Sequence, residues 1–220
     1  HLACGFLLGP FDQASILSID GMGDFVSTVT ASGETTTITK YEEVFYPHSL
    51  GFLYNAVTIY LGFPNYGDEY KVMGLAPYGE PEYVEEFRKI VFPKGDTFEL
   101  NLDYFTHVQN GISMSWDDGN PKVDAFHSRL LEERLGLARD PQDELTKKHE
   151  NIAASVQRVT EEIIFHLLRK LHDRTKDKNV VLVGGCAMNS VANGKVYQRS
   201  SFNKVYVQAA AGDAGRAAVA

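Results

Sequence analysis

The sequence predicts an α/β fold in which three antiparallel strands precede helices and two strand–helix units. Residues 14–41 are rich in Val, Ile and Thr and are broken by Gly-containing turns, which is typical of a strand meander. Residues 143–176 place apolar side chains at three- and four-residue spacing, which predicts a long amphipathic helix. Residues 179–220 then alternate apolar runs, Gly-rich turns and helical patterns, as strand–helix units do.

The meander is predicted to contain three strands, Ala14–Asp20, Phe25–Thr30 and Thr35–Tyr41. Residues 31–34 (Ala-Ser-Gly-Glu) are interpreted as the turn between the second and third strands. Because the first run is the most apolar, we expect it to be the central strand, covered on both faces.

The middle of the chain alternates helix and loop signals. Ser49–Leu61 is predicted to be a helix, and Gly67–Gly79, with three glycines and a proline, mainly a loop. Short helices are predicted at Pro81–Val91 and Asp124–Leu135. We expect a core formed by residues 14–62 and 143–220, with 63–142 as an insertion.

The last third is predicted to be strand Asn179–Val183, helix Met188–Arg199 and strand Lys204–Gln208, then the start of a final helix after residues 211–215. The resulting βββαβα order is that of the ribonuclease-H-like half of the actin/Hsp70/sugar-kinase fold. The sequence therefore predicts a nucleotide-binding domain, mostly the second half of such a fold.

Composition indicates a globular chain without a nucleic-acid footprint. The 220 residues carry a net charge of −8 and 44% hydrophobic residues. Two widely separated cysteines favour a reducing, cytoplasmic compartment, and no apolar run of about 20 residues predicts a membrane span. Both ends look like the interior of a fold, so we expect a segment of a longer protein.

Three loops that combine Gly with Asp or Asn follow predicted strands. Asp20–Asp24 can hold a Mg²⁺–water or phosphate group, or be a simple hairpin turn. Gly184-Gly185 can let a nucleotide lie against the backbone, or can be a tight strand–helix connection. Gly212-Asp213 can ligate a metal, or Asp213 can cap the following helix. Their recurrence at strand ends favours a binding site.

His1 and Cys4 share one face of a predicted helix before the first strand. A pair with this spacing can contact one metal ion. Alternatively, Cys4 is a small buried residue.

Five segments resemble the carbamoyltransferase family of nodulation-factor, aminoglycoside and cephamycin biosynthesis, in the order of that family. The segments are Ser18–Asp24, Gly67–Gly79 (GDEYKVMGLAPYG), Asn151–Gln157, Gly184–Ser190 and Ala210–Gly215.

The resemblance implies an enzyme that transfers a carbamoyl group to a hydroxyl of a sugar or natural-product acceptor. The donor would be carbamoyl-adenylate, made from carbamoyl phosphate and ATP by a YrdC-like domain outside this chain. It implies Mg and an Fe or Zn ion, with Asp20 and Lys71 as catalytic residues and Cys4 and Asp213 as metal ligands. The implied nucleotide-binding residues are Asp20, Gly21, Gly23, Asp24, Gly184, Gly185, Asn189 and Gly212.

One departure concerns the metal. The family has H-H-L-A-H where this chain begins His1-Leu2-Ala3-Cys4, so Cys4 replaces a histidine. We expect altered metal occupancy, either a thiolate site that favours zinc or an empty one. Two other functions stay open: a catalytically weakened nucleotide-binding module, and a sugar kinase or Hsp70-type ATPase.

Overall fold

The computed structural model describes residues 1–218 and the side chains of residues 1–215. Its strands are β1 (Gln13–Gly23), β2 (Val26–Glu34), β3 (Thr37–Phe45), β4 (Val91–Lys94), β5 (Thr97–Leu100), β6 (Met114–Asp117), β7 (Asn120–Val123), β8 (Asn179–Val183) and β9 (Lys204–Val207). Its α-helices are α1 (Leu2–Leu7), α2 (Leu50–Tyr60), α3 (Glu69–Leu75), α4 (Val84–Ile90), α5 (His107–Asn110), α6 (Arg129–Leu135), α7 (Lys147–Thr175), α8 (Ser190–Asn193) and α9 (Val196–Arg199). Short 3-10 helices cover Ala76–Tyr78, Leu102–Tyr104, Gly185–Met188 and Asp213–Ala218.

The chain divides into two compact units. The first comprises His1–Gly51, Pro93–Glu99 and Glu161–Ala220. The second comprises Phe52–Phe92 and Leu100–Thr160. Most of the segment predicted as an insertion, residues 63–142, therefore falls in the second unit, which also takes in most of α2 and the first half of α7.

A five-stranded mixed sheet in the order β3-β2-β1-β8-β9 forms the first unit. The pairs β1–β2 and β2–β3 are antiparallel, whereas β8 runs parallel to both β1 and β9. The predicted central position of the first strand is confirmed, since residues 14–19 of β1 are buried. On one face, Phe6 of α1 packs against Ile16, Val181 and Val183.

The turn predicted at residues 31–34 is wrong, because these residues continue β2 and the chain reverses at Thr35. Gly33 pairs with Ala14 and Ile38 inside the sheet. A Cβ atom on Gly33 would lie 2.5 Å from the Phe6 ring. The glycine therefore makes room for an aromatic ring, and it does not mark a turn.

The loop predicted at Gly67–Gly79 is also wrong, since α3 and a 3-10 helix occupy most of it. Gly67, with φ of +90°, precedes the helix, and Gly79 follows it. A Cβ on Gly79 would lie 2.1 Å from the carbonyl oxygen of Glu150. The outer glycines thus permit a helix boundary and a close backbone approach.

The helix predicted at Met188–Arg199 is broken into short pieces. The side chain of Asn189 accepts the amide of Ala192 at 3.0 Å and caps α8, while the Asn193 amide group donates to the carbonyl of Ala187 at 2.7 Å. Local side-chain bonds of this kind compete with continuous helix.

The other predicted elements differ mainly at their ends. Strand Asn179–Val183 is confirmed residue for residue, and α7 lies within the predicted 143–176. The predicted final helix begins as the 3-10 helix Asp213–Ala218. Residues 219 and 220 lie outside the described part.

Arg139 organises backbone carbonyls in the second unit. It is 8% exposed, and its Nε donates to the carbonyl of Leu61 at 2.6 Å and its Nη2 to that of Gly62 at 3.3 Å. Its Nη1 donates to carbonyls of residues 140, 141 and 143. The guanidinium carbon also lies 5.1 Å from the centre of the Phe63 ring. One buried cation thereby joins the end of α2 to the segment before α7.

Within residues 1–218, no helix combines the length and the apolar character that crossing a bilayer requires.

Candidate active site

Asp20 leaves the strand ladder at a bulge near the end of β1. The β1–β2 register is regular up to the pair Ile19–Thr28 and resumes at Gly23–Val26. The three residues Asp20 to Met22 therefore lie opposite the single residue Ser27, two partners fewer than regular pairing needs, and bulges of this kind re-aim side chains. The sharp turn itself is made by Asp24 and Phe25, both with positive φ. Asp20 is thus presented by the end of a rigid central strand.

His1, Asp20 and Asp213 form a cluster of potential metal ligands. The Nε2 atom of His1 lies 2.8 Å from Oδ2 of Asp20 and 3.6 Å from Oδ1 of Asp213. One ligand atom from each residue lies within 4.8 Å of the other two. Three separate segments supply them: the start of α1, the bulge of β1 and the turn after β9. The Asp213 side chain is 74% exposed, so the cluster is open to solvent on the side where Asp213 lies.

Backbone amides hold the other oxygen of Asp20. The N–H groups of Gly21 and Gly185 donate to Oδ1 at 2.8 and 3.3 Å. The N–H of Gly184 donates to the carbonyl of Ala211 at 2.8 Å. Gly184 has φ of +88°, and a Cβ there would lie 2.2 Å from the carbonyl oxygen of Ile19. The paired glycines therefore bring β8 close to β1 and orient Asp20.

Gly185 and Gly212 face each other across a narrow gap. A Cβ built on Gly212 would lie 3.9 Å from the Cα of Gly185 and 3.6 Å from Cε of Met188. Both distances are ordinary van der Waals contacts, so the backbone of Gly212 tolerates a methyl group. Met188 is 63% exposed. The gap is therefore bounded by two bare backbones and an adaptable thioether.

The remaining predicted site residues lie in different surroundings. Cys4 is 4% exposed and its thiol donates to the carbonyl of Gly215 at 2.9 Å. The ligand cluster contains His1 and does not contain Cys4, which agrees with the alternative view of Cys4 as a small buried residue. Asp24 is exposed at the tip of the β1–β2 hairpin, and Gly23 pairs with Val26 at its base.

Lys71, predicted to be catalytic, belongs to the second unit. Its Nζ lies 2.8 Å from Oδ1 of Asp68, and 5.5 Å from the centre of the Phe63 ring. These contacts fix the ammonium group within that unit.

The sequence missed the association of His1 with Asp20. It indicated His1 only together with Cys4, because both occupy one helix face. It also missed Gly51, whose absent Cβ lets the start of α2 approach Gly21: a Cβ there would lie 2.8 Å from the Gly21 Cα. No local motif signals either contact, because both depend on how distant segments pack.

The pKa of Asp20 is lowered, chiefly because His1 hydrogen-bonds to its carboxylate; burial opposes this shift, and the amides of Gly21 and Gly185 add to it. A folded-state pKa below the unfolded value of about 3.9 contributes stability above that pH. This contribution is lost as pH falls through the lowered folded pKa. We expect Asp20→Asn to show a weaker loss of stability below about pH 4 than the unmodified chain. Urea unfolding at pH 3 to 7 checks this, and parallel pH profiles would contradict it.

The fold and the cluster together define an α/β domain with a group of potential metal ligands at the carboxyl ends of its parallel strands. Sites of open α/β sheets lie at this edge. The chain belongs to the carbamoyltransferase N-terminus family, whose family model matches residues 1–220.

Individual relatives agree with this membership. The chain is 40% identical over 220 residues to an uncharacterized protein of Synechocystis sp., covering 99% of this chain and 34% of that protein. It is 36% identical over 216 residues to nodulation protein NolNO of Sinorhizobium fredii, covering 98% of this chain and 28% of the relative. It is 35% identical over 216 residues to nodulation protein NolO of Bradyrhizobium diazoefficiens, covering 98% of this chain and 35% of the relative. The chain therefore spans about a third of the length of these relatives.

Proposed function

We propose that this chain is the nucleotide- and metal-binding part of an enzyme that transfers a carbamoyl group from carbamoyl-adenylate to a hydroxyl of a sugar or natural product. The observation that carries the proposal is the convergence of His1, Asp20 and Asp213 beside the gap between Gly185 and Gly212. Membership of the carbamoyltransferase family supplies the reaction class.

The topology of the first unit supports an actin/Hsp70-like assignment. Three antiparallel strands are followed by two parallel strands on the other side of β1, and helical segments connect them. The βββαβα order of the actin/Hsp70-like fold requires this strand arrangement. Because unrelated functions share such folds, the assignment supports nucleotide binding without fixing the reaction.

The cluster suits a divalent first-row metal ion. One imidazole nitrogen and two carboxylate oxygens form a donor set that iron and zinc accept readily, whereas Mg²⁺ prefers oxygen ligands alone. We propose that His1, Asp20 and Asp213 hold such an ion, and that Mg²⁺ accompanies the nucleotide phosphates. When bound, the ion supplies positive charge that stabilises the phosphate leaving group.

The bare backbone at the mouth of this gap suits the adenosine side of the nucleotide, which would lie over Gly185 and Gly212 and not between them. Backbone without side chains at Gly185 and Gly212 permits close approach of a flat ring or ribose. Asp20, Gly21, Gly23 and Asp24 would then face the phosphates, and His1, Asp20 and Asp213 would hold the metal ion whose charge offsets that of the phosphates. Asn189 lies at the start of α8 and is proposed to mark the adenosine end.

The proposed chemistry is an acyl transfer. The acceptor hydroxyl oxygen forms a bond to the carbamoyl carbon, the bond from that carbon to the phosphate oxygen breaks, and AMP leaves while the hydroxyl proton passes to a base. The lowered pKa of Asp20 makes its carboxylate a weak base but a persistent anion. Asp20 is therefore better suited to holding the metal and orienting the phosphate than to removing the proton.

Two parts of the proposal lie beyond the Asp20 cluster. We propose that a separate YrdC-like domain makes carbamoyl-adenylate from carbamoyl phosphate and ATP. Lys71, whose charge is held by Asp68, is proposed as a fixed positive charge for an anionic substrate group.

Replacing Gly212 by Ala is expected to weaken ATP and AMP binding about tenfold or more without unfolding the chain, because the added methyl enters the gap but meets only ordinary contacts. Isothermal titration calorimetry with and without Mg²⁺ measures the affinity, and thermal unfolding checks the fold. Gly74→Ala is the matched control, since a Cβ there meets nothing within 4 Å.

Three outcomes would count against nucleotide binding in this gap. The first is an unmodified full-length protein that binds neither nucleotide. The second is Gly212→Ala binding both nucleotides as tightly as the unmodified protein. The third is an equal loss in Gly74→Ala, which would show a general effect of added methyl groups. Nucleotide binding without any carbamoyl transfer by the full-length protein would favour the catalytically weakened module.

A further inference from the structure

An exposed aromatic face lies on the β6–β7 hairpin of the second unit. Trp116 is 71% exposed and Tyr66 is 66% exposed. In the antiparallel register, Trp116 lies directly opposite Pro121. The amide of Tyr66 donates to the carbonyl of Pro121 at 2.9 Å, next to the bridge between Asn65 and Lys122. Side chains alternate between the faces of a strand, so Trp116, Pro121 and Tyr66 share one face. We call these three residues the aromatic platform.

The opposite face of the hairpin is polar, which confirms the alternation. Lys122 and Asp117 form an ion pair there. The platform is therefore the apolar side of a two-faced ribbon.

The platform is held rigidly. The side chain of Asp68 is 8% exposed, and its Oδ2 accepts from the backbone and side-chain amides of Asn65 at 3.3 and 3.2 Å. The amide of Val123 donates to the carbonyl of Pro64 at 2.8 Å. These bonds fix the segment that carries Tyr66 against β7. Backbone that is already ordered loses little conformational entropy when a ligand binds to the residues it carries.

We infer that the aromatic platform binds a saccharide that carries no anionic group. The face of an aromatic ring is electron-rich, and one face of a pyranose ring presents C–H groups of slight positive charge, so the two stack. Trp116 and Tyr66 are separated by two strand spacings, roughly 10 Å. This distance spans two pyranose units of an extended oligosaccharide, so the two rings would contact alternate sugar units. Asp118, exposed two residues beyond Trp116, supplies a carboxylate acceptor for sugar hydroxyls.

Charge and area decide against other ligands. Asp117, Asp118 and Asp124 lie on or beside the hairpin of a chain with net charge −8, so nucleic acid and phosphorylated sugars are repelled. The exposed apolar area of the platform together with the neighbouring Met114, which is 47% exposed, is roughly 400 Å². A stable protein interface needs about 800 Å² on each partner. A small uncharged ligand fits this area better.

This inference deepens the proposed function, on which it rests for the role of the saccharide as the acceptor. Binding to the platform itself requires neither nucleotide nor metal. Its failure can therefore be separated from a failure of the proposed function.

The test applies the full-length protein, without nucleotide or metal, to an immobilised panel of neutral, amino and sulfated oligosaccharides. We expect binding to neutral or amino members and none to sulfated members. Trp116→Ala and Tyr66→Ala should each lower the affinity for a bound member roughly tenfold, and Trp116→Phe should retain part of it. Tyr197→Ala is the matched control, since Tyr197 is a 60% exposed aromatic residue on α9.

The inference is overturned if no panel member binds, if both Ala variants bind as tightly as the unmodified protein, or if Tyr197→Ala loses as much affinity. A change of oligomeric state in Trp116→Ala would overturn it in favour of a protein interface. Asp20→Asn should bind the panel normally. If it does and yet no variant or unmodified protein transfers a carbamoyl group, the proposed function fails while the platform stands.

Discussion

Replacing both Lys195 and Arg199 by Met is expected to lower the free energy of unfolding by about 3 kcal/mol, the lower end of the range for breaking a buried ion pair. Glu161 of α7 is 1% exposed, and its two carboxylate oxygens lie 2.6 Å from Nζ of Lys195 and 3.0 Å from Nη1 of Arg199. The double replacement leaves a buried carboxylate without these two cations. The lower end applies because the cations are 40% and 31% exposed.

The reverse change should cost less. Glu161→Gln removes the charge whose burial is costly and leaves two cations that can reach solvent, so we expect a loss of about 1–2 kcal/mol. Adding Glu161→Gln to the double replacement should restore part of the stability. Urea unfolding of the four proteins measures these differences.

The exposed pair of Arg129 and Glu133, four residues apart on α6, is the matched control. Their side chains are 89% and 57% exposed, so Arg129→Met should change stability by no more than about 0.5 kcal/mol. Equal losses of stability from Arg129→Met and the double replacement would show that the burial of Glu161 does not increase the free-energy cost of removing its cations. A triple variant less stable than the double would contradict the proposed cost of a buried carboxylate that has lost these two cations.

Asp20→Asn is expected to lower metal occupancy and carbamoyl transfer by about 100-fold or more, since a charged ligand is replaced by a neutral amide. One side-chain oxygen of Asp20 faces His1 and the other accepts two backbone amides. An Asn side chain offers one oxygen and one NH₂ group, so it repels either the metal or those amides. Elemental analysis and a transfer assay on the full-length protein measure the two effects.

Asp24→Asn is the control for the neighbouring carboxylate. Asp24 has φ of +51° at the exposed hairpin tip, and Asn tolerates this conformation well. Metal occupancy should therefore be unchanged, and transfer should fall only slightly. Full metal occupancy in Asp20→Asn, or its loss in Asp24→Asn, would show that the wrong carboxylate has been assigned.

Elements with a strong apolar pattern were predictable. The apolar run Asn179–Val183 predicted strand β8 with its exact bounds, and the apolar stripe of residues 143–176 predicted helix α7. The Gly67–Gly79 segment was not predictable, because its helix depends on distant residues. Asn151 accepts the amide of Glu80 at 2.8 Å, just past Gly79, and such tertiary contacts override local glycine content.

The candidate site divides in the same way. Asp20 and Asp213 each stand next to a glycine at the end of a predicted strand, and this pattern indicated both as site residues from the sequence. The approach of His1 to both carboxylates depends on the packing of α1 against the sheet, where Phe6 fits over Gly33. Cys4, four residues into the chain, occupies the same helix, but its thiol donates to the carbonyl of Gly215. The spacing of His1 and Cys4 on one helix suggested both as metal ligands. Only the packing shows that His1 reaches the carboxylates while Cys4 is buried.

The carbonyl cluster around Arg139 constrains how this part of the protein can vary. Arg139 binds the backbone carbonyl oxygens of residues 140, 141 and 143. The side chains at these positions can therefore change without loss of the bonds, provided that the backbone keeps its path. Lysine offers a point charge with three donors and lacks the planar fork that reaches both segments. Among related proteins, we therefore expect an invariant arginine beside a stretch whose composition drifts. In an alignment, the arginine would be conserved without conserved neighbours, because the backbone carbonyl oxygens that it binds are present whatever the side chains are.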